Sequence, residues 1–242
     1  MLDFYILNLS AFAPGLHTQE DWRKWAEGGL DMGTDAGEVP DISFVPAMLR
    51  RRLSQNIKMA LYVAYHSAGD LRSEIRAVFA SRFGEWQQTA KLLTTYFNED
   101  MISPMGFGLS VHNAASGINS LINENKAPCS AISAGEGTFS AGMIEALTSA
   151  KENEKILYVY SDEATPEIYR GIDERLQCAV GLVLSKARHS SSDRHVKYSL
   201  NHKGADGRAS QAAGINDPTA FMRFYLCTSS EIALNGIYLK KG

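Results

Sequence analysis

Apolar positions along the chain fall into short runs and helix-spaced stretches that alternate. Phe4-Tyr5-Ile6-Leu7-Asn8-Leu9 is short, apolar and rich in β-formers, the pattern of a buried strand. Thr18-Gln19-Glu20 before Asp21-Trp22 marks a helix start, and Gly28-Gly29 ends that helix after about two turns. Residues 29–43 read as a loop. From Pro46, Leu49, Leu53, Ile57, Leu61, Ala64 and Ala68 recur at helical spacing up to Gly69, which predicts one long helix with a glycine cap. Ile75–Ala80 reads as a strand, and Gly84–Phe97 as a helix with Trp86, Ala90, Leu93 and Phe97 along one side. A loop with Pro104, Gly106 and Gly108 follows, then a helix from Val111 to Ile122, a strand Cys129–Ser133 and a helix Thr138–Ala150. Lys155–Tyr160 and Cys178–Leu184 are continuous apolar runs, as in strands covered on both faces. Strands alternating with helices of this length predict an α/β fold with a mostly parallel mixed sheet and helices on both faces.

The remainder is more polar. His189–Asp193 and Gly204–Asn216 read as surface connections, and between them Val196–Leu200 alternates as an antiparallel edge strand would. Asp217-Pro218 opens a helix through Met222 to Leu226, and Ile232–Leu239 reads as a last strand. There is no internal repeat.

Composition narrows the class. The 242 residues carry 24 Lys+Arg against 27 Asp+Glu, a net charge of −3, which argues against a nucleic-acid protein with its clustered basic surface. No apolar run reaches the roughly 18 residues of a membrane span, and Met1-Leu2-Asp3-Phe4 lacks the basic start of a signal peptide, so the expectation is a cytoplasmic protein off the membrane. The 3 cysteines, Cys129, Cys178 and Cys227, are widely spaced, which fits neither a disulfide framework nor a metal site. No metal and no cofactor is expected. Gly135-x-Gly137 is too short for a dinucleotide fingerprint.

Candidate chemistry concentrates in Ala131-Ile132-Ser133-Ala134-Gly135-Glu136-Gly137, between a strand and a helix. A small-residue elbow there sets one side chain at the carboxyl end of a buried strand, beside the N–H groups of the next helix. Ser133, Asp162 and His195 follow in the order nucleophile, acid, base, which opens a serine hydrolase or thioesterase reading. Against it, Ala131 stands where the elbow's first glycine belongs and His195 lies in a polar stretch. His112-Asn113 suits local capping or hydrogen bonding at a helix start. Glu136 suits capping of the helix that follows it.

The run Ser110-Val111-His112-Asn113-Ala114-Ala115-Ser116-Gly117 resembles the helix before the nucleophile strand in β-ketoacyl-acyl carrier protein synthases of the thiolase superfamily. In those enzymes a strand, an Ala-Cys-x-x-Gly elbow and an Ala/Gly-rich helix follow, similar to Gly137–Ala146 here. Tyr158–Ala164 resembles their strand ending in a Gly/Ala/Glu turn, and Cys178–Leu184 the strand closing the N-terminal half. Pro46–Ser54 and Phe221–Leu226 look like motifs of the chain length factors found with aryl polyene type II polyketide genes.

The resemblance implies a thiolase-like, half-size fold: one αβαβα-type layered domain over residues 1–242, with 201–242 a short C-terminal extension. Laying Gly137 on the elbow glycine puts the family's nucleophilic cysteine at Ala134, and a shift by one offers only Ser133 or Gly135. The elbow Ser133-Ala134-Gly135-Glu136-Gly137 is therefore degenerate, and the two catalytic histidines of a synthase's C-terminal half have no counterpart. The resemblance implies a non-catalytic chain length factor, of polyketide or fatty-acid-type biosynthesis. It would form a heterodimer with a full-length ketosynthase and serve acyl carrier protein substrates only through it. Met105, Gly106, Phe107 and Leu109, with His112 and Asn113, would then lie at the partner's acyl tunnel. Read without the family, Met105 and Phe107 are core residues of a glycine-rich loop.

Overall fold

A computed structural model describes residues 2–99, 101–169, 171, 177–200 and 217–242. Its strands are β1 (Leu2–Phe12), β2 (Arg76–Ala80), β3 (Cys129–Ile132), β4 (Lys155–Asp162), β5 (Cys178–Ser185), β6 (Arg194–Leu200), β7 (Glu231–Leu234) and β8 (Ile237–Lys241). Its helices are α1 (Gln19–Ala26), α2 (Ala47–Arg50), α3 (Gln55–Ala68), α4 (Trp86–Glu99), α5 (Pro104–Gly108), α6 (Ala114–Ile122), α7 (Thr138–Ser149) and α8 (Asp217–Leu226). The expected connection Gly204–Asn216 lies outside the described residues, whereas His189–Asp193 is a turn, exposed except for the buried Asp193.

All eight described strands join one sheet in the order β3-β2-β4-β5-β1-β6-β8-β7. Along β4, Ile156, Tyr158 and Tyr160 face one core with Phe139, Met143 and Phe221, while Leu157 and Val159 face a second core with Ile57, Leu61 and Ala64. The run is apolar because both of its faces are buried. The result is the expected thiolase-like layering at half size, and its αβαβα pattern reduces to three layers. The sheet lies between α3 with α6 on one side and α1, α7 and α8 on the other.

Strand direction corrects the sequence reading. Only the β2–β3 and β2–β4 pairings are parallel, and the five others are antiparallel. Parallel neighbours need a crossover of a dozen or more residues, usually a helix. Helices α4–α6 and α7 supply it among β2, β3 and β4, while the described part of the β4–β5 connection holds only a short 3-10 turn, Glu167–Tyr169. β6 is not an edge strand either, because it sits between β1 and β8. The last strand is a hairpin, β7–β8, turning at Asn235-Gly236 with Gly236 at φ +82°.

The long helix from Pro46 is broken. α2 stops at Arg50, and Ser54 restarts the chain as the N-cap of α3, its Oγ accepting from the Ile57 N–H at 3.0 Å. Serine side chains compete with the helical backbone in this way, and hydrophobic spacing alone does not register it. Replacing Ser54 by Ala is expected to cost about 1 kcal/mol, read from the urea midpoint. Thr18 and Asp21 form the reciprocal capping box at α1.

Candidate functional site

The elbow forms where the sequence places it. β3 ends at Ile132, Ala134 takes φ −148° and ψ 39°, Gly135 turns at φ +58°, and a 3-10 turn over Gly135–Gly137 leads into α7. Thr138 locks the turn: its Oγ donates to Gly135 O at 2.7 Å and accepts from the Ala134 N–H at 2.9 Å. The C-terminal hairpin braces it from outside, with Asn235 Nδ2 donating to Glu136 O at 3.2 Å. Asp217, at the start of α8, anchors that brace by accepting from the Asn235 N–H at 3.2 Å and from Ser140 Oγ at 3.2 Å. Ser133, Ala134, Gly135 and Glu136 are all exposed.

Ser133 is engaged structurally, its Oγ donating to Arg82 O at 2.8 Å. Arg82 in turn places Nη1 at 2.6 Å from Glu136 Oε1, so Glu136 makes an ion pair across the elbow. Asp162 is engaged elsewhere. It is buried and accepts from Ser81 Oγ at 2.7 Å, the Arg82 N–H at 2.9 Å and Tyr160 OH at 2.5 Å. Burial raises its pKa against these lowering hydrogen bonds. His195 stacks on Tyr5 at 4.9 Å and its Nε2 lies 3.1 Å from Asp3 Oδ1. It stands on β6, five strand steps from β3, or about 24 Å at the usual strand spacing. His195 is thus remote from Ser133 and Asp162, and no described histidine bonds Ser133 Oγ. A fluorophosphonate probe is expected to leave the chain unlabelled. Labelling lost on Ser133→Ala would contradict this.

None of the three cysteines reaches the elbow turn. Cys129 begins β3, Cys178 is buried in β5, and Cys227 follows α8 rather than lying within it. Among the described residues, no group of three or more His, Cys, Asp and Glu side chains could hold a metal ion. No described helix is long and apolar enough to cross a membrane.

The glycine-rich loop after α4 is a short helix, α5, capped by Ser103 Oγ accepting from the Gly106 N–H at 3.2 Å. Gly106 is its contact with α4, since a Cβ there would lie 3.2 Å from Gln88 Nε2 and from Leu92 Cδ2. Leu109 is half-buried, but Met105 and Phe107 are 53% and 59% exposed, so neither is a core residue. With Phe97 and Met101, at 80% and 69%, they give α4 and α5 an apolar outer surface. His112 bonds across the fold rather than locally, Nε2–H donating to Ser81 O at 2.7 Å, and Asn113 is exposed with no side-chain cap. The outer edge of β3 carries no described strand.

Sequence reasoning did not single out Asn56, Glu85 and Glu163, three polar side chains buried behind Ser81. Asn56 Nδ2 donates to Glu85 Oε1 at 3.1 Å, and the Gln87 N–H, at the start of α4, donates to Glu163 Oε1 at 2.7 Å. Burial pushes the Glu85 carboxyl up to about 7. Burial, then the neighbouring Glu85, pushes Glu163 up to about 8. No spacing rule marks them, because they meet from three segments far apart in the chain.

Compared with known families, residues 22–239 match the β-ketoacyl synthase N-terminal domain. The chain belongs to that family. No curated protein matches it by sequence. Among solved structures, this synthase-family chain is similar over 100% of both chains to one from the complex of the ketosynthase ApeO with its chain length factor ApeC from Xenorhabdus doucetiae (TM-score 0.77, 23% identity). It is also similar to a chain of the ishigamide ketosynthase/chain length factor (TM-score 0.61, 12% identity, 91% of this chain and 73% of that one). A third is a chain of AntDE:AntF, a type II polyketide synthase acyl-carrier protein in complex with its ketosynthase (TM-score 0.64, 13% identity, 83% and 69% covered). These likenesses place the half-size layered sheet within the ketosynthase fold.

Proposed function

We propose that this chain is a non-catalytic chain length factor that pairs with a complete ketosynthase in type II polyketide, aryl polyene-like, or fatty-acid-type biosynthesis. The observation that carries the reading is the elbow, which keeps its strand-turn-helix form; the resemblance assigns the family's cysteine position to Ala134, a methyl group. A methyl group cannot attack a thioester. The partner therefore performs the decarboxylative condensation on acyl carrier protein substrates. Complexes of a ketosynthase with its chain length factor among the similar structures support the same assignment.

In this reading residues 1–242 form one domain acting in the cytoplasm, with 201–242 an extension whose hairpin braces the elbow. The unpaired edge of β3 meets the partner's sheet, and the apolar surface of α4 and α5 is covered by it. Phe107 and Met105 then limit the acyl tunnel, because a packed interior tolerates little overfilling. Phe107→Ala, assayed in the reconstituted complex, is expected to shift products toward longer chains at a similar total rate. An unchanged distribution in an intact complex would remove Phe107 from the tunnel.

A further inference from the structure

Among the described residues, the outer edge of β1 is paired for only half its length. β6 follows it from Leu2 to Ile6, where Ile6 meets Arg194, while β5 follows the opposite edge from Tyr5 to Phe12. Among the described residues no strand pairs with Leu7–Ala11 on the β6 side. A cleft of about 490 Å³ opens along this stretch, and Leu7, Asn8, Leu9, Ser10 and Ala11 all line it. Successive side chains of a strand point to opposite faces, so five consecutive lining residues mean that the cleft meets the strand edge-on. Its walls agree: Tyr62 and His66 come from α3 on one face of the sheet, Trp22 and Met222 from α1 and α8 on the other.

Two features fit this edge to one kind of occupant. The Leu9 N–H donates to Asn8 Oδ1 at 2.9 Å, and Asn8 Nδ2 is tied to Ser67 O at 2.8 Å. A side-chain oxygen thus fills the acceptor place that a neighbouring strand's carbonyl takes in a ladder. The charged side chains that line the cleft are also of one sign, with Glu38 Oε1 behind them at 3.5 Å from His17 Nδ1. Arg23 and Arg194 line it together with His17 and His66, and no Asp or Glu does, in a chain whose net charge is −3. Arg194 is held at the end of the cleft, its guanidinium 4.0 Å over the Tyr225 ring and hydrogen-bonded to Tyr225 O. Burial, then Arg72, keeps the His66 imidazole below its usual range, which leaves the arginines as the main charge.

We infer that the bare edge of β1, Leu7–Ala11, is a docking site for an extended acidic peptide segment of a partner protein. The segment adds to the sheet end to end with β6, over about 17 Å of strand at the usual rise. Main-chain bonds to the edge hold it, and the arginines select its acidic side chains. The site lies four strands from β3, so it is independent of the proposed synthase interface.

The test pans a display library of random ten-residue peptides against the full chain. Enrichment of Asp/Glu-rich sequences free of proline at alternate positions is expected. A synthetic peptide from that pool should bind wild type at least tenfold more tightly than Arg194→Glu or Arg23→Glu, each verified as folded by circular dichroism. N-methylating alternate amides of the peptide should weaken it at least tenfold. Its binding should slow hydrogen exchange at Ala11. The inference is overturned by a library without enrichment, by peptides that bind both charge-reversed variants equally, or by binding that survives N-methylation.

Discussion

Gly181→Ala is expected to destabilise the chain by about 3 kcal/mol, at the upper end of the range for overpacking. Gly181 is central in β5, paired with Val159 of β4 and Ser10 of β1. A Cβ there would lie 2.6 Å from Val63 O, 2.9 Å from Val63 C and 2.6 Å from Ser67 Oγ. Ser67 can rotate aside, but Val63 presents the backbone of α3, a helix with nine buried residues. Relief therefore requires the whole helix to lift from the sheet, loosening its contacts with β1, β4 and β5. Urea denaturation reads the effect. A cost below about 0.5 kcal/mol would show that α3 does not press on β5 as closely as these distances state.

Stability is also expected to fall as pH rises through neutrality. Glu163 titrates near 8 and Glu85 near 7 in the folded chain, against 4.5 for an unperturbed glutamate. Because both folded pKa values are raised, the folded chain binds more protons than the unfolded chain between about pH 4.5 and 8. The stabilisation is fully present at the acid end of that window and is lost as pH climbs through it. At about 1.4 kcal/mol per pKa unit, Glu163 alone accounts for a drop on the order of 5 kcal/mol. Glu163→Gln, neutral at every pH, should flatten the profile and be more stable than wild type at pH 8.5. A variant whose profile parallels that of wild type would place the buried proton elsewhere.

Legibility in the sequence followed the range of the interaction. α1 was readable from Thr18-Gln19-Glu20-Asp21 and α8 from Asp217-Pro218, because a cap acts within one turn. β4 and β5 were readable as apolar runs because burial on both faces removes alternation. The break before α3 was hidden, since Leu49, Leu53 and Ile57 keep helical spacing across it while Ser54 Oγ takes over the Ile57 N–H. Strand direction was hidden as well, because it depends on which strands flank β1 rather than on any window of residues. At the site, the strand-turn-helix form of the elbow was legible from Ser133 to Gly137. The pairing of Arg82 with Glu136 was not, nor was the brace from Asn235, which lies 99 residues from Glu136.

The central claim is that this chain works as the inactive half of a condensing pair. Its most direct test is the native mass of the chain co-expressed with a complete ketosynthase from the same source. The account predicts a one-to-one complex that persists through purification, condenses malonyl-carrier substrates, and falls apart when Ala131→Pro in β3 blocks strand pairing. A chain that runs as a monomer beside an active synthase, with product lengths the same in its absence, would contradict it.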